Sequence, residues 1–232
     1  MNQIKTFSDN RLDIVCSYCG KDMADTRDHI PSKILLNEPY PENLPIAPCC
    51  SKCNQGFSLD EEYVACLLEC VICGTVETEK LSKQKIKTIL NRKEALRKRL
   101  SNSIVFKNGN TFFKPESRRL ENIFIKLAKG HIKYENSEPI MGEPTYCKYK
   151  PLFIMTLQER KKFFEIKNSD LLPEVGSRAM IKIVSNNKLS QPFVEWNVVQ
   201  QDVYHYVISI NPTTVRIIIW NYLAVEVKWE DC

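Results

Sequence analysis

Two C-x-x-C pairs, Cys16-Ser17-Tyr18-Cys19 and Cys50-Ser51-Lys52-Cys53, are the residues of this chain whose type and spacing point most directly to chemistry. Four thiolates in two such units suit a closed tetrahedral structural zinc site, and Gly20 lets the backbone curl back behind the first pair. Cys49 competes with Cys50 as a ligand, although the x-x spacing favours Cys50. The 30 residues between the pairs exceed the interval of an ordinary zinc ribbon, so something folded should sit there. Asp28-His29-Ile30-Pro31 and Asn43 lie within that interval, and Asn54 directly follows the last cysteine. If Asp28 and His29 belong to a strand, their side chains diverge, so one can ligate a metal while the other faces a substrate. Asn54, opening a helix pinned by the second pair, can bring an amide oxygen to the same metal. Oxygen ligands of this kind suit a hard divalent cation such as Mg²⁺. The chemistry open to such a set is phosphodiester hydrolysis. A histidine titrating near neutrality activates water, and a metal neutralises charge on the phosphorane and leaving oxygen.

The stretch from about residue 14 to 62 resembles the HNH endonuclease motif of the ββα-metal (His-Me finger) superfamily. The matching elements are Asp28-His29, Asn43-Leu44 and Cys50-x-x-Cys53-Asn54, a His-Asn-Asn version of the signature. The resemblance implies that His29 is the general base, that Asp28 and Asn54 hold a catalytic Mg²⁺ or Mn²⁺, and that Asn43 orients the loop carrying the base. It also implies a nucleic-acid substrate, DNA in preference to RNA. Where family members often carry Lys or Arg, three residues beyond the final Asn, this chain has Phe57. Phosphate contact is therefore expected from Lys33, Lys52 or a basic middle region. Pro31, Pro39, Pro41, Pro45 and Pro48 crowd the hairpin and remove ladder donors, so short, irregular strands with a long loop are expected.

The elements that must position these residues follow from periodicity and punctuation. Ser58-Leu59-Asp60-Glu61 reads as a capping box opening a helix that Gly74 ends. The Asp60-Glu61-Glu62 cluster is then read as capping acids in preference to a metal site. A second helix is expected over 82–100, a hairpin with its turn at Asn108-Gly109-Asn110, and a third helix over 117–129 stopped by Gly130. Five β-branched or aromatic runs follow, at 180–184, 193–196, 203–210, 215–220 and 223–229, which read as an antiparallel meander. The expected class is α+β: an N-terminal zinc-bound ββα-metal module over 1–76, then a helical basic middle and a C-terminal β region over 77–232. Cys66, Cys70 and Cys73 are read as core packing, His131 and His205 as structural, and Trp196, Trp220 and Trp229 as filling the meander.

Composition narrows the classes further. The chain has 232 residues, 43% hydrophobic and 26% charged, which excludes a disordered protein. No apolar run is long enough to span a membrane and the N-terminus has no apolar leader segment, so a soluble cytoplasmic protein is expected. Ten cysteines in that reducing setting favour metal over disulfides. The net charge of +5 conceals 15 basic and 3 acidic residues between Lys80 and Lys129, a balance of +12 against −7 elsewhere. Such asymmetry is expected where one face meets a polyanion, though a solvated lysine-rich helix has the same composition. No P-loop, G-x-S-x-G or H-E-x-x-H occurs, and the C-terminal region is left to recognition or to a partner subunit such as an ATPase. Two rivals to the endonuclease remain: a non-catalytic zinc-organised DNA-binding module, and an interaction domain in which His29 completes a Cys₃His zinc site.

Overall fold

The computed structural model describes residues 6–107, 109–166, 172–185 and 195–230. The elements in order are β1 (Thr26–His29), β2 (Ile46–Cys49), α1 (Ser51–Cys73), α2 (Gln84–Arg92), α3 (Glu94–Asn102), β3 (Ile104–Lys107), β4 (Asn110–Phe113), α4 (Ser117–Asn136), β5 (Tyr146–Pro151), α5 (Leu157–Phe164), α6 (Arg178–Ser185), β6 (Asn197–Gln200), β7 (Tyr204–Ser209), β8 (Thr214–Ile219) and β9 (Leu223–Lys228). The class is mixed α and β, as the sequence suggests. No helix among the described residues is long and apolar enough to cross a membrane. Two compact units form, one of residues 1–56 with 124–232 and the other of residues 57–123. The parting therefore falls within α1 and within α4, whereas the sequence division at 76 and 77 falls just past the end of α1.

In the first unit, β1 and β2 pair antiparallel with His29 opposite Ile46 and Thr26 opposite Cys49, and α1 starts two residues after β2. The strands are four residues each with a long loop between them, as the prolines imply. The C-terminal sheet runs β5-β9-β8-β7-β6, antiparallel throughout, with β7, β8 and β9 forming the expected meander. One sheet face packs on α4: the Phe124 ring lies 5.3 Å from Tyr149, and His131 stacks on Tyr206 at 3.7 Å. The other face is covered by α5, where Phe163 joins Ile218 and Ala224, with Trp196 packed against them. Trp229 is buried, and Trp220 donates its indole N–H to the Leu35 carbonyl at 2.8 Å.

Four expectations need correction. The first helix opens at Ser51, seven residues before the proposed box, because Asp25 caps it from afar: its carboxylate accepts the Ser51 amide and hydroxyl, each at 2.6 Å. Asp60 and Glu62 thus lie mid-helix, where Asp60 takes Asn122 and Arg119 and Glu62 takes Lys93. The second helix is two, bent at Lys93. Six residues separate Leu90 from Leu96, about 1.7 turns, so a straight helix could not bring both to one side. The third does not stop at Gly130 but runs to Asn136. Gly130 is a close-packing residue: a Cβ there would sit 2.5 Å from Cδ1 of the fully buried Ile30. The run 180–184 is helix α6, because the Ser177 hydroxyl accepts the Met180 amide at 3.2 Å and caps a helical start. The run 193–196 lies partly outside the described residues, as does Asn108 of the expected turn.

The second unit buries Tyr63, Leu67, Ile86, Leu90, Leu100 and Leu120. Glu69, 2% exposed, accepts the backbone amides of Ser82 and Lys83 at 2.5 and 2.7 Å and so fixes the entry to α2. Cys66 and Cys70 are fully buried here, as expected of core residues, whereas Cys73 is only half-buried, its sulfur 3.6 Å from Glu69 Oε1. Burial drives the Cys66 and Cys70 thiols up, Cys70 to about 12.

Candidate metal centre and its neighbours

A tight loop builds the first half of the cysteine group. Val15 bridges Met23, the Cys16 amide bonds the Asp22 carbonyl at 2.9 Å, and the Gly20 amide bonds the Cys16 carbonyl at 3.0 Å. Gly20 has φ of +64°, the left-handed conformation that glycine adopts without penalty. Ser17 anchors the loop to β2, its amide and hydroxyl both meeting the Pro48 carbonyl, at 3.0 and 2.6 Å. The second half comes from the Cys49–Ser51 junction and the first turn of α1. As a result the ligand atoms of Cys16, Cys19, Cys50 and Cys53 all lie within 4.8 Å of one another.

These four thiols could hold a metal ion such as zinc. Tetrahedral ligation by sulfur at ~2.3 Å needs four sulfurs in a compact group, and this group is one. The Cys53 amide donates to the Cys50 sulfur at 3.4 Å and works to lower that thiol's pKa, but burial and the neighbouring Cys16 leave it raised. Backbone donation from Asp22 pulls the Cys19 thiol down to about 7, whereas burial raises Cys53. Cys49 belongs elsewhere: it is buried, its sulfur sits 3.3 Å from the Thr26 hydroxyl, and burial pushes its thiol up to about 11. His29 is outside the group, which leaves the Cys₃His arrangement without geometry to support it.

Asp28 and His29 diverge on β1, as a strand requires. Asp28 is 8% exposed. Its Oδ2 accepts the Tyr18 hydroxyl at 2.6 Å and meets the Lys126 ammonium, also at 2.6 Å. Lys126 reaches it from α4, only 1% exposed, with a further bond to the Ser32 hydroxyl at 3.1 Å. His29 is half-buried, and its pKa is lowered first by burial and then by Lys33, against the opposing pull of Asp28. Asn54 meets the same strand, its amide nitrogen donating to Thr26 Oγ1 at 3.3 Å. Thr26 and Asp28 are two apart and share a face of β1. Asn43 stands apart, half-exposed in the turn before β2, and no hydrogen bond among the described residues ties it to His29.

Comparison with known protein families, with curated proteins and with solved structures finds no match to this chain.

Sequence reasoning missed Lys126. It sits in the basic stretch, where lysines read as a solvated face, yet Lys126 and Lys129 are both buried. The cue lay in period: Lys126 falls between Ile123 and Gly130, on the inward stripe of α4. A cleft of about 660 Å³ is lined by Asp25, Thr26, Arg27, Pro48, Lys133 and Arg178, and includes neither Asp28 nor His29. His131 is structural, its Nε2 within 2.9 Å of the Tyr204 hydroxyl in a fully buried site.

Proposed function

We propose that this protein is a metal-dependent endonuclease of HNH type, hydrolysing phosphodiester bonds in nucleic acid, DNA in preference to RNA. The observation that carries the reading is the meeting of three features on one hairpin and helix: the cysteine group joining the Cys16–Cys19 loop to the start of α1, a half-buried histidine of lowered pKa on β1, and Asn54 against the face that bears Asp28. His29 takes a proton from the attacking water, and its lowered pKa keeps it free to do so at neutral pH. Asn43 holds the loop before β2, a role that rests on the resemblance alone.

A divalent ion at Asp28 and Asn54 is part of this proposal. What supports it is the hydrogen-bond accounting: among the described residues the bonds to Asp28 fall on Oδ2 and Asn54 is engaged through its nitrogen, with no bond to the other oxygen of Asp28 or to the amide oxygen of Asn54. When bound, Mg²⁺ or Mn²⁺ would neutralise charge on the scissile phosphate and leaving oxygen. Exposed Lys33 and Lys52 are the proposed phosphate contacts.

The competing reading is a zinc-organised module that binds DNA without cutting it. Protein freed of loosely bound metal with EDTA, checked for retained zinc and replenished with Mg²⁺, separates the two. Cleavage of a duplex supports the nuclease, whereas a mobility shift without cleavage supports the binding module.

A further inference from the structure

Lys126 brings a full positive charge into contact with the carboxylate that the nuclease reading assigns to a metal. It cannot swing away to solvent: the side chain is 1% exposed, and the ammonium is held by Asp28 Oδ2 at 2.6 Å and the Ser32 hydroxyl at 3.1 Å. The Tyr18 ring lies 5.8 Å from it, and the Tyr18 hydroxyl bonds the same Asp28 oxygen. The charge sum then decides how a cation is received. Asp28 contributes −1 and Lys126 +1, and Asn54 is neutral, so the donor set has no net charge to offer a dication. Mg²⁺ gives up its water reluctantly and is characteristically held by one or two carboxylates together with substrate phosphates. A carboxylate already neutralised by a buried ammonium is poorer still, because the ion and the ammonium repel across it.

We propose that Lys126 makes divalent-metal binding at Asp28 contingent on substrate, so that the ion is retained only when a nucleic-acid phosphate supplies the missing negative charge. This rests on the nuclease reading and on the place of Asp28 in it. Lys126 is thus a positioning residue acting through Asp28, with Tyr18 fixing which carboxylate oxygen faces inward. The consequence is a resting protein that does not hold its catalytic ion, and an active centre completed on the substrate.

The test is Mn²⁺ binding by electron paramagnetic resonance to the full-length, zinc-loaded protein, with no turnover involved. Wild type, Lys126→Met, Asp28→Asn and the double variant are titrated with Mn²⁺ alone. His29→Ala and His29→Ala/Asp28→Asn are titrated with and without a short DNA duplex. Lys126→Met should bind Mn²⁺ at least tenfold more tightly than wild type, and Asp28→Asn should remove the gain. In the His29→Ala background the duplex should tighten Mn²⁺ binding at least tenfold through Asp28. This second comparison retains Lys126 and decides the matter if Lys126→Met fails to fold. Asp28-dependent Mn²⁺ binding that is indifferent to both Lys126 and the duplex would overturn the proposal and leave the metal reading standing. No Asp28-dependent Mn²⁺ signal in any sample would overturn the metal reading, and the proposal with it.

Discussion

Replacing Gly130 with alanine probes the seat of α4 on β1, the contact that delivers Lys126 to Asp28. An added Cβ would lie 2.5 Å from Ile30 Cδ1, 2.9 Å from Cγ1 and 3.3 Å from Cγ2. Ile30 is fully buried and immediately follows His29, so it has little room to withdraw. Overpacking of this kind costs about 1–3 kcal/mol, while alanine gains about 1 kcal/mol over glycine within a helix. With three Ile30 atoms inside 3.4 Å the packing cost lies in the upper part of that range, and a net loss of up to about 2 kcal/mol is expected. For a chain of this size that is a fall in Tm of about 2–4 °C per kcal/mol by calorimetry. Ile30→Val removes the nearest atom and alone costs about 0.5–1.5 kcal/mol. Combined with Gly130→Ala it should show relief of at least about 0.5 kcal/mol relative to the sum of the single changes. A Gly130→Ala variant more stable than wild type, or strict additivity, would refute the close packing.

Three further outcomes follow from the geometry. The lowered pKa of His29 places the loss of the neutral base below the ordinary histidine value, so kcat/KM should be flat through neutral pH and fall only in acid. The unfolded chain takes up that proton more readily than the folded one, so acid should weaken folding in the same direction; a profile falling between pH 8 and 7 would contradict both. Cys50→Ser should lose the zinc and Cys49→Ser should retain it, with four sulfur ligands by X-ray absorption; three sulfurs and a nitrogen would contradict the cysteine group. Glu69→Ala leaves the Ser82 and Lys83 amides without their acceptor and should cost about 2–4 kcal/mol in thermal unfolding, whereas a loss below 0.5 kcal/mol would show that water replaces it.

What could be read from the chain was what is encoded locally. The cysteine pairs were legible because two ligands one turn apart are a short-range pattern, and the divergence of Asp28 and His29 because strands alternate. The meander was legible from its β-branched runs and the turns between them. What escaped depended on partners far along the chain. Asp25 sets the start of α1 across 26 residues, so Ser58 looked like a cap when it is mid-helix. Gly130 reads as a stop until Ile30 is known to press against it. Lys126 lies 98 residues from Asp28, so its place on the inward stripe of α4 hinted at burial while its partner could not be read from the chain. At 180–184 propensity favours a strand, but a short run capped by Ser177 resolves as a helix.

The central claim is best tested by nicking of supercoiled plasmid in the presence of Mg²⁺ or Mn²⁺, comparing wild type with His29→Ala at matched zinc content. Metal-dependent nicking by wild type and none by the variant is expected, with the fold and zinc of the variant unchanged. Equal nicking by both proteins would contradict the assignment of His29 as the base, and nicking by neither would contradict the endonuclease itself.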